Sequence, residues 1–72
     1  MTIKTQIKSN GWHDVEIDVI GGQTVITGDT YKCKKFIQNF LGGKWDRNLR
    51  GWIVDPELLE KYTTKAGTIM VR

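Results

Sequence analysis

Residues 31–54 have the sequence YKCKKFIQNFLGGKWDRNLRGWIV, and this stretch predicts a helix followed by a hairpin. Its first part carries an apolar stripe at helical spacing, formed by Cys33, Phe36, Ile37, Phe40 and Leu41. We therefore expect a helix of about three turns. Asp29 and Thr30 are suited to cap its start, because their side chains accept bonds from free backbone N–H groups. Gly42-Gly43 should end it, since glycine readily adopts the left-handed conformation.

The second part of the stretch, Lys44 to Val54, predicts the hairpin. If residues 47–50 form its loop, Trp45 lies opposite Trp52 and the two indoles share one face of the sheet. Burial of large aromatic side chains stabilises so small a core, so we expect both tryptophans to pack over the helix rather than stack on a ligand.

Strands are predicted before this stretch. Residues 2–8 and 14–19 alternate apolar and polar side chains, which is typical of strands buried on one side, and residues 24–27 form a further β-branched run. Asn10-Gly11 and Gly21-Gly22 are turn pairs that join them. A three-stranded antiparallel meander is the simplest arrangement.

A second helix is predicted to start at Asp55-Pro56-Glu57, with an Asp cap, a proline in the first turn and an acid near the positive end of the dipole. Gly67 should close it, and Thr68 to Val71 is β-prone. The predicted fold is α+β, a single domain over residues 1–72. A small antiparallel sheet, made of the N-terminal three-stranded meander and the hairpin, packs against two short helices in the order βββ-α-ββ-α-β.

The composition excludes several kinds of site. Cys33 is the only cysteine and His13 the only histidine among 72 residues, so we expect no intrachain disulfide and no zinc site. An unpaired cysteine is typical of a reducing compartment, which predicts an intracellular protein, cytoplasmic or nuclear. The N-terminus lacks the apolar run of a signal peptide, and no uncharged stretch is long enough for a membrane span.

We expect no catalysis, no cofactor and no metal. Cys33 lies in the apolar stripe of the predicted helix, where a small buried hydrophobe is the ordinary role. Asp14, Glu16 and Asp18 alternate along a strand, a pattern typical of solvated charges rather than converging metal ligands. The sequence contains no acid–base pair, catalytic triad or phosphate-loop motif.

Positive charge is concentrated in one segment. Residues 30–50 hold six cations and one carboxylate, a local charge of +5, although the whole chain carries only +3. Residues 1–29 hold two lysines against four carboxylates, and residues 51–72 hold three charges of each sign. Such a block is expected of a phosphate-binding surface, the alternative being a solvated lysine-rich face.

The run Leu41-Gly42-Gly43-Lys44-Trp45-Asp46, followed by Arg50 and Trp52, resembles a known family. It is similar to the small "YxxKxxxKxLGaRWDxxxKxWyV" domain attached to plasmid and phage primases, relaxases and other DNA-processing proteins. More distantly, it is similar to the HARP domain of annealing helicases, in which a basic helix joins a hairpin ending in tryptophan.

The resemblance covers about a third of the chain. It departs from the pattern at Gly43, where alanine is usual, at Gly51 before the second tryptophan, and in the N-terminal meander, which has no counterpart. It implies a role associated with DNA and a phage or viral origin.

Our main hypothesis is a small nucleic-acid-binding protein that uses a basic helix–hairpin surface to contact the phosphate backbone of DNA, in preference to RNA. Contact with unpaired bases of single-stranded DNA is left open. The proposed contacts are Lys32, Lys35, Lys44, Arg47 and Arg50. Lys32 and Lys35 would line the outer face of the helix. Lys44 would project from the strand face opposite Trp45.

The alternative hypothesis is a protein-interaction adaptor or inhibitor that acts on a nucleic-acid-processing enzyme. An adaptor should expose an apolar patch, whereas DNA binding needs the cations to converge. A homodimer formed by edge pairing of residues 68–71 or 3–7 is a third hypothesis. Trp12 remains open between packing on the meander and stacking on an unpaired base.

Overall fold

The computed structural model describes residues 2–71 and contains one six-stranded sheet with two short helices. The strands are β1 (Ile3–Lys8), β2 (Trp12–Ile20), β3 (Gln23–Gly28), β4 (Lys44–Asp46), β5 (Gly51–Val54) and β6 (Ile69–Met70). The helices are α1 (Lys34–Phe40) and α2 (Pro56–Tyr62), with a 3₁₀ turn at Tyr31–Cys33 before α1. Within residues 2–71, no helix has the length and apolar character needed to cross a membrane.

The α+β class is confirmed, but the sheet is mixed rather than antiparallel. Its spatial order is β4-β5-β3-β2-β1-β6. Four neighbouring pairs are antiparallel, whereas β6 runs parallel to β1, with Ile7 beside Ile69 and Lys8 beside Met70. The cause is the connection through α2, which carries the chain from β5 to the far edge of the sheet. β1, one of the strands considered for edge pairing, therefore lies between β2 and β6.

The start of the first helix differs from the prediction. Tyr31–Cys33 forms a 3₁₀ turn, so the element order contains one more helical segment, and α1 itself has seven residues instead of three full turns. Neither Asp29 nor Thr30 caps it, since no side-chain hydrogen bond caps the start of the 3₁₀ turn or the start of α1. The Thr30 hydroxyl is engaged by a tertiary partner, the indole of Trp52.

The helix ends are set by local chemistry. Gly42 takes the left-handed conformation after α1 (φ 64°), as predicted. The Asp55 carboxylate accepts a bond from the Glu57 N–H at 2.9 Å, which confirms the predicted cap of α2. However, α2 ends at Tyr62, and Gly67 lies in the following turn, where its N–H bonds the Thr64 carbonyl.

Both helices pack on the same face of the sheet. The register places Ile7, Val15 and Ile26 on one face of the central strands, since partners in register share a face, as do alternate residues along a strand. These side chains are at most 2% exposed. The core is completed by residues of the helices and outer strands: Cys33, Phe36, Ile37, Leu41, Trp52, Val54, Leu59 and Ile69. We call the other side of the sheet, which no helix covers, the open face.

Two glycines allow close approach between elements. A Cβ on Gly43 would overlap Cγ2 of Ile37 and lie 3.0 Å from its carbonyl oxygen, so α1 packs directly on the start of the hairpin. A Cβ on Gly51 would lie 2.7 Å from side-chain atoms of Val25 and Thr27. The small domain to which residues 41–52 are similar usually has alanine at the position of Gly43. This chain has no room for that methyl group.

Candidate nucleic-acid interface

The hairpin has the predicted register. Its loop covers residues 47–50, and Trp45 lies directly opposite Trp52. The two rings meet edge to face, with centroids 5.4 Å apart and an interplanar angle of 66°. Only 7% of Trp52 is exposed, whereas 51% of Trp45 is exposed. The expectation that both tryptophans are buried is therefore wrong for Trp45, because β4 is an edge strand with a neighbour on one side only.

Trp52 is held in the core by a hydrogen bond from its indole. Its Nε1–H donates a hydrogen bond to the Thr30 hydroxyl at 3.2 Å, and Thr30 is itself buried. A buried indole N–H needs such a partner, since an unpaired polar group in the core is costly. Thr30 thus holds Trp52, and Trp52 supports the ring of Trp45.

An open groove lies between the first helical segment and the hairpin. Its volume is about 580 Å³, within the range of about 300–1,000 Å³ that is common for small-ligand sites. We call it the aromatic groove; it is lined by Gly28, Asp29, Thr30, Tyr31, Lys34, Lys35, Gln38, Trp45 and Trp52.

Tyr31 is the most exposed aromatic side chain of the groove, with 76% of its surface accessible. The Lys34 ammonium lies over its ring, 4.7 Å from the centroid. This cation–π contact holds a positive charge beside an aromatic surface at the groove. The groove therefore combines exposed aromatic surface from Tyr31 and Trp45 with the cations of Lys34 and Lys35.

Sequence reasoning missed several of these groove residues, although a signal was present. Tyr31, Lys34, Lys35 and Gln38 follow the spacing i, i+3, i+4, i+7, which places side chains on one face of a helix. The predicted contacts are all cations, and the aromatic residues are assigned to packing, so Tyr31 in the first turn of the predicted helix receives no role.

One carboxylate lies in the groove. Asp29 Oδ2 is 3.6 Å from Nδ1 of His13, whose ring is buried and whose Nε2 is 3.0 Å from the Ser9 carbonyl oxygen. The imidazole thus lies between two oxygen atoms, and it links the edge of the groove to the turn between β1 and β2.

All five predicted contact residues are exposed. None of them forms an ion pair with a carboxylate among residues 2–71, where the single ionic contact is that of His13 with Asp29. Lys35 lines the aromatic groove, and Lys32 lies in the preceding 3₁₀ turn. Arg47 and Arg50 are in the hairpin loop, and Arg50 has a left-handed backbone (φ 51°).

Lys44 is separated from the other predicted contacts by the sheet. It precedes Trp45 in β4, and successive side chains of a strand point to opposite faces. Lys44 therefore projects on the open face, as the sequence predicted, while Trp45 and Lys35 belong to the groove on the helix side.

The hairpin loop is organised by Asp46. One of its carboxylate oxygens, Oδ1, accepts bonds from the backbone N–H groups of Asn48 at 2.9 Å and Leu49 at 3.1 Å. An aspartate that bonds to the backbone of the residues after it is a common turn device. Asp46 thus orders the loop that carries Arg47 and Arg50.

The acidic side chains of β2 lie on the open face and have neighbours on β1 or directly before it. Asp14 accepts a bond from the Gln6 amide at 2.9 Å, Asp18 accepts one from the Thr2 hydroxyl at 2.6 Å, and Glu16 lies opposite Lys4. No group of three or more side chains suited to metal binding occurs among the residues that the structure describes.

Cys33 is in the core, as the helical stripe predicted, with 1% of its surface exposed. Burial raises the pKa of its thiol, and the negative charge of Asp29 raises it further. The thiolate, the reactive form, is therefore disfavoured, which argues against a nucleophilic role for Cys33.

Two further exposed features lie away from the groove. Trp12 is 55% exposed and stands on the open face, with the Lys8 ammonium 5.4 Å from its ring centroid. On the helix side, a shallow apolar groove of about 380 Å³ runs between α2 and β1; it is lined by Ile3, Thr5, Ile17, Pro56, Leu59, Glu60, Thr63 and Gly67.

Comparison with known proteins identifies no relative of this chain. No protein-family model matches the chain, and no curated protein or solved structure is significantly similar to it. A function can therefore be proposed only from the chemistry of these surfaces.

Proposed function

We propose that this chain is a non-catalytic nucleic-acid-binding protein that contacts the phosphate backbone of DNA. The contacts are Lys32, Lys35, Lys44, Arg47 and Arg50. The proposal is supported above all by one observation, that these five exposed cations have no carboxylate partner within residues 2–71. A cation without an intramolecular partner is free to neutralise a phosphate, and it loses no ion pair on binding.

The hairpin loop carries side chains that are well suited to binding phosphate. Arg47 and Arg50 carry planar guanidinium groups, which can bind phosphate with two parallel hydrogen bonds. The Asp46 carboxylate accepts hydrogen bonds from the loop backbone, so part of the entropic cost of ordering the loop is already met in the free protein.

Binding of this kind depends on salt. Each phosphate that a cation neutralises releases condensed counterions, so five contacts predict a slope of log affinity against log salt on the order of −4 on DNA. No groove-reading motif of a known class occurs in the sequence, so we expect binding that tolerates changes of base sequence.

The test is a titration of labelled single- and double-stranded oligonucleotides at several salt concentrations. We expect the double variant Arg47→Ala/Arg50→Ala to lose about tenfold or more in affinity and to have a shallower salt slope, because two of five contacts are removed. Its melting temperature should stay close to that of the parent, since both side chains are exposed.

A matched control is the double variant Lys61→Ala/Lys65→Ala, which removes the same charge from exposed positions outside residues 30–50. It should bind nearly as well as the parent protein. If it weakens binding as much as the arginine variant, net charge alone drives association. If the parent protein binds no oligonucleotide below millimolar concentration at low salt, the proposal is wrong.

A second candidate function is that of an adaptor or inhibitor of a nucleic-acid-processing enzyme. It is favoured by the apolar groove beside α2, together with Ile3 and Val19, which are 55% and 67% exposed on the same side of the sheet. This function predicts that Ile3→Ser/Val19→Ser keeps its oligonucleotide affinity and loses its effect on such an enzyme.

A further inference from the structure

We propose that the aromatic groove holds an unpaired nucleobase, stacked on Trp45, so that the protein prefers single-stranded to double-stranded nucleic acid. This inference rests on the proposed function and names the part of the nucleic acid that the groove recognises. The backbone contacts alone would not favour the single strand, because both forms carry phosphates and the duplex carries them at the higher charge density.

Trp45 offers the stacking surface. Trp45 meets Trp52 edge to face, yet 51% of Trp45 remains exposed, and the residue lines the groove. An exposed indole on an edge strand costs stability that burial would otherwise supply. A nucleobase would cover this surface, since every base has a flat face that stacks on aromatic rings.

The ring of Trp45 is held in place before any ligand arrives. Trp52 contacts it edge to face, and Trp52 is fixed in turn by its hydrogen bond to Thr30 at 3.2 Å. Rigid support of a contact residue lowers the entropy lost on binding. The buried pair Thr30–Trp52 thus positions Trp45, while Trp45 would make the contact.

Tyr31 offers a second aromatic surface in the same groove. Tyr31 is 76% exposed, and the Lys34 ammonium lies over one face of its ring, 4.7 Å from the centroid. Stacking on Tyr31 would place the base near a fixed positive charge, and the phosphates on either side of the base within reach of Lys34 and Lys35. Gln38 adds a side-chain amide, which can donate to and accept from the edge of a base.

The charges of the groove favour an anionic ligand. Lys34 and Lys35 supply two cations without carboxylate partners in residues 2–71, and the one carboxylate, Asp29, contacts the His13 ring at 3.6 Å. In a duplex the faces of the bases are covered by their neighbours, so only an unpaired base can present a face to these rings. This combination of flat rings and cations is the chemistry of single-strand binding sites.

The experiment compares two single-stranded ligands of equal charge: an oligothymidine and the same backbone with abasic sites in place of the bases. At one fixed low salt concentration, the parent protein should bind oligothymidine about tenfold more tightly, which equals about 1.4 kcal/mol. Trp45→Ala should remove this difference by weakening only the oligothymidine complex. Tyr31→Leu should reduce the difference, and it provides an independent test should Trp45→Ala fail to fold.

The matched control is Trp12→Ala, which removes a tryptophan of similar exposure from the open face. Trp12→Ala should leave the preference for oligothymidine over the abasic ligand unchanged. Trp45→Phe, which retains an aromatic ring, should keep most of this preference. Equal affinity of the parent protein for the two ligands would overturn the stacking site while leaving the proposed backbone contact intact. Binding to neither ligand would overturn both proposals. If Trp12→Ala and Trp45→Ala reduce the preference for oligothymidine equally, the aromatic groove is not the stacking site.

Discussion

Trp45 and Trp52 are the same residue type on the same face of the same hairpin, yet their surroundings differ. Trp52 lies on an inner strand, bonded to Thr30 and covered by the helices, while Trp45 lies on the edge strand with half of its surface exposed. At the residue scale, the hydrophobic effect acts on both side chains equally, and position in the sheet decides which of them is buried.

We predict that Trp52→Ala lowers the free energy of unfolding by about 3–5 kcal/mol, because it leaves a large cavity in the core. The free energy of unfolding of so small a domain is itself only a few kcal/mol, so the variant should be largely unfolded. The measurement is urea unfolding followed by far-ultraviolet circular dichroism. Trp12→Ala, at an exposed site, should stay within about 0.5 kcal/mol of the parent. A folded Trp52→Ala protein that fails to bind DNA would assign Trp52 to contact instead of core.

We also predict that Thr30→Val lowers the free energy of unfolding by about 1–3 kcal/mol, although the two side chains have nearly the same shape. The variant leaves the buried indole N–H of Trp52 without its acceptor. Thr30→Ser keeps the hydroxyl and is the matched control in the same urea experiment. Equal stability of the Val and Ser variants would mean that the hydrogen bond makes no net contribution.

At the element scale, the hairpin is the best-predicted part of the candidate site. Its loop, its register and the opposition of Trp45 and Trp52 follow from turn chemistry and the period of two along a strand, both of which are local. The start of the first helix was predicted less well. The sequence pattern assigned Thr30 to a cap, whereas its hydroxyl is used 22 residues away along the chain, by Trp52.

The hairpin loop provides a prediction at this scale. Asp46→Ala should lower the free energy of unfolding by about 1 kcal/mol, because two backbone N–H groups lose their acceptor and the loop becomes less ordered. Asp46→Asn retains a side-chain oxygen and should keep most of this stability. The urea midpoint measures the effect, and equal loss in both variants would assign it to the charge.

At the scale of the whole molecule, the sheet divides the proposed contacts between two surfaces. Lys35 lies on the helix side and Lys44 on the open face, on either side of the edge strand β4. A nucleic-acid strand that contacts both must therefore pass around this edge, and we expect a short strand to reach only one of the two cations.

We predict a dependence on ligand length. Lys35→Ala should weaken binding of both a short oligonucleotide, about 4 nucleotides, and a long one, about 16 nucleotides, which span common site sizes. Lys44→Ala should weaken only the long complex, by several-fold. Fluorescence anisotropy of the two labelled ligands at equal salt measures both effects. If Lys44→Ala weakens the short complex as much as Lys35→Ala does, the two cations act on one surface and the division by the sheet is irrelevant to binding.

The α+β class, most strand and turn positions, the hairpin register and the concentration of positive charge in residues 30–50 can all be predicted from the sequence. These features depend on the period of apolar side chains, on turn residues and on caps, all of which act over a few neighbouring residues. Three features are visible only in the folded protein: β6 runs parallel to β1, Thr30 bonds Trp52, and Tyr31 and Trp45 share a groove with Lys34 and Lys35. Such contacts join residues that are distant along the chain, so their geometry depends on how the helices pack across the sheet and not on the local sequence pattern.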